Sequence, residues 1–219
     1  MFAICSLAYI DRIAQHVQGK SAMNVITWIL LAIGLVIGFW AVGAYNRLAR
    51  LRNAIANAFG QIDVQLKRRH DLIPNLVEVA RQYLAHEAQT LEAVIAARNQ
   101  ARSAEQTAAG NPFSSGALGA LVGAEQVLGG ALSRLFAVAE DYPDLKADQT
   151  MRELSEELSS TENRIGFARQ AYNDHVLEFN DAAQQFPALI VARLFNFQPQ
   201  PMLESTTSDA ERAPVKVAF

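Results

Sequence analysis

The chain has 219 residues, a formal net charge of -3 and four histidines. This length suits one domain with appendages, and the charge balance excludes the strong positive field that nucleic-acid-binding proteins present. The single cysteine, Cys5, excludes a disulfide framework and a metal site built from cysteines. Hydrophobic residues make up 51% of the chain, a high fraction for a soluble domain, and one segment explains it.

That segment is an apolar run of 20 residues, VITWILLAIGLVIGFWAVGA, at positions 25–44. As a helix that rises about 1.5 Å per residue, it spans about 30 Å, the thickness of the hydrocarbon core of a bilayer. A signal peptide is the alternative, but its apolar part is shorter and precedes a small-residue cleavage site. We therefore predict that residues 23–44 form a transmembrane helix in contact with lipid.

The charges that flank this run predict its orientation. Three arginines follow it closely and are candidate membrane-interface residues: Arg47, Arg50 and Arg52. Because basic residues favour the cytoplasmic side of a membrane, we predict a single-pass membrane protein with its N-terminus outside and its bulk in the cytoplasm. Residues 1–22 carry no interpretable pattern and form an uncertain extension, and Met23 is an alternative start.

Apolar residues recur at steps of three and four through the rest of the chain, which is the spacing of amphipathic helices. The clearest run extends from Met151 to Phe186 and keeps this spacing for about five heptads, as in a coiled-coil-like seam. No stretch alternates with period two over a useful length. We therefore predict an all-α protein with an antiparallel four-helix bundle at residues 45–187, then a C-terminal segment and a flexible tail at residues 188–219.

Residues that disfavour helices predict where this bundle turns. Gly, Asn, Pro and Ser cluster at positions 108–116 and predict a loop. Pro143 predicts a second break, and Asp144 and Asp148 are candidate caps beside it. Two prolines, at positions 199 and 201, end helical structure near the C-terminus.

Pro74 predicts a further break, since proline lacks an N–H donor and is best tolerated in a first helical turn. Asp71 can cap that turn. Three basic residues then end the preceding helix, where cations suit the helix dipole: Lys67, Arg68 and Arg69. The alternative is a continuous, kinked helix.

The basic cluster at Lys67, Arg68 and Arg69 also has a functional interpretation, as a docking patch for an acidic protein partner. Lipid contact is disfavoured, because in a straight helix Lys67 lies about 35 Å beyond the membrane run and the screening length is about 8 Å at physiological salt. Nucleic acid is disfavoured as well, because no stacking aromatic residues accompany the basic ones. A structural helix end is the favoured interpretation.

Charge is distributed unevenly between two of the predicted helices. Residues 45–69 hold six basic residues and one acid, a balance of +5, whereas residues 148–186 hold eight acids and three basic residues, a balance of −5. Opposite charges of this size favour neighbouring, antiparallel helices. Since exposed ion pairs contribute little energy each, they would set the register of these helices more than their stability.

The apolar stretch FPALIVARLFNF at residues 186–197 has two interpretations. It either lies at the membrane interface, because the fourth helix of such a bundle returns toward the membrane, or packs across the end of the bundle, which we favour. An unbroken helix at Pro74 would change the order of directions and place the stretch far from the bilayer.

Several segments together resemble one known family. They are YNRLARLRNAIANAFGQIDVQLKRRHDLIPNLVE at 45–78, HEAQTLEAVIAARNQA at 86–101, YPDLKAD at 142–148, ENRIGFARQAYNDHVLEFN at 162–180 and FP at 186–187. As a set these motifs resemble the LemA family, over about residues 23–203. The resemblance implies one N-terminal membrane helix followed by a cytoplasmic helical bundle, in agreement with the residue patterns, and it implies a location in the bacterial cytoplasmic (inner) membrane. It implies no settled biochemical activity.

No catalytic or metal-binding motif emerges from the residues. His86-Glu87 lacks the second histidine of a zinc-protease motif, and no histidine has the glutamate three positions before it that paired di-metal sites use. The glycine-rich phosphate loop and the nucleophile elbow are missing too. We therefore expect no enzyme activity and no cofactor.

The expected function is a membrane tether or interaction scaffold for an unidentified protein partner, because a membrane anchor raises the effective concentration of what it holds. The alternative is a self-assembling structural protein, a homo-oligomer that organises or shapes the membrane. A role as an adaptor in membrane protein quality control rests on the family resemblance alone.

Overall fold

A computed structural model describes the backbone of residues 2–203 and the side chains of residues 24–203. The predicted flexible tail that ends the segment at residues 188–219 lies outside the described residues, and so do the side chains of the uncertain extension at residues 1–22. The chain divides into two compact units, Met1–Arg47 and Leu48–Phe219.

Six helices account for the regular structure of residues 2–203. They are α1 (Phe2–Tyr83), α2 (Ala88–Gly110), α3 (Ser115–Ala139), α4 (Pro143–Ala147), α5 (Gln149–Gln184) and α6 (Ala188–Leu194). No strand occurs among these residues, and an apolar N-terminal helix precedes the others, which confirms the predicted all-α class.

The N-terminal unit contains an apolar helical segment without protein cover, since every side chain of residues 24–40 is exposed. By length and composition two described helical segments could cross a membrane, Asn24–Tyr83 of α1 and Ser115–Ala139, which is α3. The apolar window of α1 holds no buried residue, whereas 33% of the α3 window is buried. The buried leucines of α3 line the core of the second unit, so the exposed segment of α1 is the better candidate for a membrane span.

The predicted break at Pro74 is wrong, because α1 continues through it to Tyr83. A proline at position 74 cannot donate to the carbonyl of His70, four positions earlier. Arg98 of α2 supplies the donor instead, through a 2.9 Å hydrogen bond from its Nε to the carbonyl oxygen of His70. Ile73, next to the proline, is fully buried and holds this part of α1 in the core. The alternative of a continuous helix is therefore the correct one.

The chain turns instead at residues 84–87, where neither proline nor glycine occurs. Asp71 is an exposed residue within α1, 3.9 Å from the guanidinium of Arg98, and does not cap a helix. The residues on both sides of Pro74 thus belong to one helix up to Tyr83, and α2 begins at Ala88.

The predicted loop within residues 108–116 is confirmed. α2 ends at Gly110 and α3 begins at Ser115. The hydroxyl of Ser114 caps α3 by accepting a hydrogen bond from the backbone N–H of Ala117.

The predicted break at Pro143 is confirmed as well, because this proline opens the short helix α4. Asp148 caps α5, since its carboxylate accepts a 2.9 Å hydrogen bond from the backbone N–H of Met151. This hydrogen bond lowers the pKa of Asp148. Asp144, the other candidate cap, lies inside the first turn of α4.

The predicted pairing of the basic and acidic helices is confirmed. Arg69 of α1 lies 2.8 Å from Glu162 of α5. Earlier in α1, the ring of Phe59 meets the ring of Tyr172 edge to face, with centroids 6.2 Å apart. Because higher residue numbers in α1 meet lower numbers in α5, the two helices are antiparallel.

Two apolar clusters form the core of the second unit. The first lies where that unit begins and joins Leu48 of α1 to Ala108 of α2, Leu118 of α3 and Ala183 of α5. The second gathers the C-terminal part of α1, the first half of α2 and the second half of α3. The four long helices therefore alternate in direction along the chain, as expected of an antiparallel bundle.

The segment after α5 packs across the end of the bundle that holds Leu48, as the favoured interpretation predicts. Val191 and Ala192 of α6 are buried, and Ala192 joins the first apolar cluster. Phe186, which the heptad pattern places in the seam, is exposed, because α5 already ends at Gln184.

The expectation that an unbroken helix at Pro74 would place residues 186–197 at the far end of the bundle is wrong. The turn at residues 84–87 takes the place of the predicted break, so four long helices remain and α5 still returns toward the start of the second unit.

An extended segment follows α6 and is held against α5 by two asparagines. The side-chain amide of Asn180 bonds both the backbone N–H of Gln200, at 2.8 Å, and its carbonyl oxygen, at 3.0 Å. Asn173 does the same with Leu203, at 2.8 and 2.7 Å. The helix therefore provides, from side chains, the hydrogen bonds that this extended backbone lacks.

Candidate functional site

The basic residues Lys67, Arg68 and Arg69 lie in the middle of α1, so the prediction that they end a helix is wrong. Each has an acidic partner within the chain. The ion pairs are Lys67–Asp63 at 2.5 Å, Arg68–Glu157 at 2.5 Å, Arg69–Glu162 at 2.8 Å and Arg69–Glu125 at 3.0 Å. Their use as a docking patch stays a prediction, and their charges already have partners inside the bundle.

The innermost part of this network joins three helices. His70 of α1 is 1% exposed and lies between Glu105 of α2, 1% exposed, and Glu125 of α3, 4% exposed. Its Nε2 is 2.8 Å from Glu125 Oε1, and its Nδ1 is 3.6 Å from Glu105 Oε2. Arg69 donates to the other oxygen of Glu125 at 3.0 Å. We call the following residues the charge cluster: Asp63, Lys67, Arg69, His70, Glu105 and Glu125.

Glu105 is the member of the charge cluster whose ionisation is most perturbed. Its pKa is raised to about 7, chiefly by burial and then by a hydrogen bond with Asp63, against the lowering effect of Lys67 and His70. Unless one of these two carboxyls holds a proton, the buried oxygens Asp63 Oδ1 and Glu105 Oε1 have no hydrogen-bond partner. A proton on Glu105 provides a donor between these carboxyls, as in other carboxyl pairs that cannot both ionise.

The geometry of the charge cluster pairs charges and does not converge on one point. Its two glutamates approach different nitrogens of the His70 ring. Within residues 24–203, no group of three or more acidic, histidine or cysteine side chains is placed to hold a metal ion. Removing one partner from such a buried network leaves the others uncompensated, at a cost of about 3–5 kcal/mol. The arrangement is therefore suited to fixing the relative positions of α1, α2 and α3.

An open groove of about 420 Å³ lies beside the charge cluster. Residues from α1, α3 and α5 line it, among them Arg69, Glu125, Gln126, Glu162 and Arg169. Because this lining is mostly charged or polar, the groove differs from the largely apolar pockets that bind small molecules. It is better suited to a ligand with polar groups.

The predicted membrane-interface residues Arg47, Arg50 and Arg52 are all exposed. The guanidinium of Arg52 lies 4.7 Å from the centroid of the Phe113 ring, in the turn between α2 and α3. This cation–π contact gives Arg52 a structural role. On α1, Arg52 precedes Lys67, the first of the predicted docking residues, by about 22 Å of helix, so the two predicted sets of residues do not form one site.

Sequence reasoning missed the buried acids Glu105 and Glu125. Their signal is their position, since Glu125 stands in the buried row of α3 with Leu121 and Leu128. Glu105 occupies a similar position in α2, among buried alanines. A carboxylate in the apolar row of a helix needs a buried partner, and this requirement points to the histidine and arginine of α1.

Known proteins resemble this chain over most of its length. The chain is 25% identical over 169 residues to the magnetosome protein MamQ of Magnetospirillum gryphiswaldense, and the match covers 70% of this chain and 62% of the relative. It is 26% identical over 174 residues to the magnetosome proteins MamQ 1 and MamQ 2 of Paramagnetospirillum magneticum, with the same shares covered. The chain thus spans less than two thirds of the length of these relatives.

The family model for LemA matches residues 58–219. This range contains the whole charge cluster and α2 to α6, and it covers well over half of the chain. The motifs that resemble LemA in the sequence, the helical fold and the family match agree. The chain belongs to the LemA family.

Proposed function

We propose that this chain is a membrane tether, a single-pass protein of the bacterial cytoplasmic membrane that holds a protein partner at the cytoplasmic surface and catalyses no reaction. The observation that carries the proposal is the uncovered apolar segment of α1, which continues as one helix into a unit with its own buried core. An apolar surface of this size favours lipid over water.

The orientation follows from the charges beside the apolar segment. Arg47 and Arg50 are exposed and lie directly after it, and basic residues favour the cytoplasmic side. A cysteine introduced at Ser115, in a Cys5→Ser background, tests this assignment. We expect it to resist a membrane-impermeant maleimide in spheroplasts and to react after lysis. Equal labelling before and after lysis would place the bundle outside.

Tethering works through effective concentration, since a partner that binds the bundle is confined to the membrane without any new catalytic group. The charge cluster supports a non-catalytic role, because its acids and bases compensate one another inside the bundle. The polar groove beside it is an accessible surface formed by three helices, and it provides the first position to test for a partner.

Photocrosslinking in cells tests the proposal. A photoreactive residue is placed at Gln126, in the groove, and at Asn57, an exposed position of α1, as the matched control. We expect one partner protein to be captured from Gln126 and not from Asn57. Capture of the same chain alone would favour the alternative, a self-assembling homo-oligomer that organises or shapes the membrane. Capture of a membrane protease or its chaperone would favour an adaptor role in membrane protein quality control.

A further inference from the structure

We propose that the exposed apolar face of α6 lies in the headgroup region of the same bilayer that α1 crosses, so that the bundle meets the membrane at a second place. The proposed occupant of this face is a lipid surface. The inference rests on the membrane span of the proposed function and adds a second contact between the chain and the bilayer.

The face consists of two large apolar side chains of α6, with a third just before the helix. Ile190 is 58% exposed and Leu194 is 76% exposed, and a step of four residues places these two on one side of the helix. Phe186, which precedes α6, is 81% exposed. The opposite side of α6 is buried through Val191 and Ala192. The core therefore holds α6 in place while its most apolar row points away from the bundle.

The register of the bundle places α6 at the end of the second unit where the chain enters it, near Leu48. Phe59 faces Tyr172, and Arg69 pairs with Glu162, so in this register Leu48 is level with about residue 183 of α5. Leu48 and Ala183 indeed belong to the same apolar cluster, which also includes Ala192 of α6.

Chain connectivity then links this end of the bundle to the bilayer. Leu48 follows Ala44, the last residue of the apolar run, by four positions. Four residues span at most about 14 Å even when fully extended. Whatever the angle between the two units, the cluster on which α6 packs begins within that distance of the end of the membrane run.

The charges at this end favour a lipid surface over an apolar protein surface. Arg193 is exposed and adjoins the apolar row, and Arg50 is exposed near the start of the unit. One exposed acid, Asp181, lies in the last turn of α5. Basic residues beside an apolar row are typical of segments that lie in the interface of anionic bilayers.

Fluorescent probes on single cysteines test the proposal in the full chain, in a Cys5→Ser background. The protein is reconstituted into vesicles of phosphatidylcholine and phosphatidylglycerol. An environment-sensitive probe is attached at Leu194→Cys, at Leu35→Cys in the apolar run, and at Val64→Cys, an exposed aliphatic position further along α1. We expect the probes at 194 and 35 to lose most of their emission when the lipids carry a quencher, and the probe at 64 to lose none.

The three positions separate the possible outcomes. Quenching at 35 without quenching at 194 would overturn the inference and leave the anchor intact. No quenching at 35 would refute the membrane span of the proposed function, and the inference with it. A blue-shifted but unquenched probe at 194, whose shift fades as the protein-to-lipid ratio falls, would identify a second copy of the chain as the occupant and overturn the proposal. All three residues are exposed, so helical content should match the parent protein.

Discussion

Arg98 provides, from a neighbouring helix, the hydrogen-bond donor that Pro74 removes from α1, and the energy of this replacement is measurable. Changing Arg98 to Met keeps the apolar stem of the side chain and removes the donor to the His70 carbonyl. His70 is buried, and a buried carbonyl left without a donor costs about 1–3 kcal/mol. At about 2–4 °C per kcal/mol for a domain of this size, a loss of about 2 kcal/mol lowers Tm by about 4–8 °C.

The same change should cost less when residue 74 can donate. In a Pro74→Ala background the backbone N–H of residue 74 can bond the His70 carbonyl, as in an ordinary helix. Arg98→Met then removes only its contacts with Asp71 and Asn99, at about 0–1 kcal/mol. We therefore expect a coupling of about 1–2 kcal/mol between positions 74 and 98. The effect of proline on the unfolded chain cancels, because it is the same with either residue at 98.

The assay is thermal unfolding of the full chain in detergent, followed by helical circular dichroism, for the parent, both single variants and the double variant. Arg102→Met is the matched control, since Arg102 is an exposed arginine one turn further along α2. An equal loss from Arg98→Met in both backgrounds would show that Arg98 does not replace the missing donor. The continuity of α1 through Pro74 would then have a different cause.

Three further predictions concern the charge cluster and the C-terminal segment. Glu105 has a pKa of about 7 in the folded chain and 4.5 as an unperturbed glutamate, so the folded chain loses stability as pH rises between these values. Because Glu105→Gln cannot titrate, the Tm of this variant should rise relative to that of the parent from pH 5 to pH 8. A constant difference in Tm would contradict the raised pKa. Glu125→Ala removes the 2.8 Å partner of buried His70 and leaves buried Arg69 with Glu162, so it should cost about 3 kcal/mol in chemical unfolding, against a small effect of Glu156→Ala on the surface. Asn180→Ala should speed hydrogen exchange at Gln200 and its neighbours while Tm changes little, and unchanged exchange would show that the asparagine does not hold the segment.

The sequence predicts correctly those turns that are caused by residues within the turn itself. Pro143 and the cluster around Gly110 mark turns because their own backbones resist the helix, and the structure turns at both. The turn at residues 84–87 contains no such residue and gave no signal. Pro74 gave a false one, because the group that compensates for it, Arg98, lies on a different helix.

For the candidate site, the sequence predicts which helices are neighbours but not which acids are buried between them. The excess of basic residues in α1 and of acids in α5 predicts that these helices are neighbours, and Arg69–Glu162 bears this out. A charge balance counts every residue alike, however, and does not distinguish buried acids from exposed ones. Glu105 and Glu125 are single acids in apolar rows, and their importance follows from burial beside His70, which depends on how three helices meet.

The position of the charge cluster explains why one register is favoured. On α1 it separates the two apolar clusters, since Leu66 belongs to the first and Ile73 to the second. A shift of one helical turn between α1 and α2 would therefore bring His70 or Glu105 against apolar side chains, and a buried polar group without a hydrogen-bond partner is destabilising. The same register sets the end of α5 level with the start of the second unit. We infer that the buried charges, through this register, determine where α6 presents its apolar face.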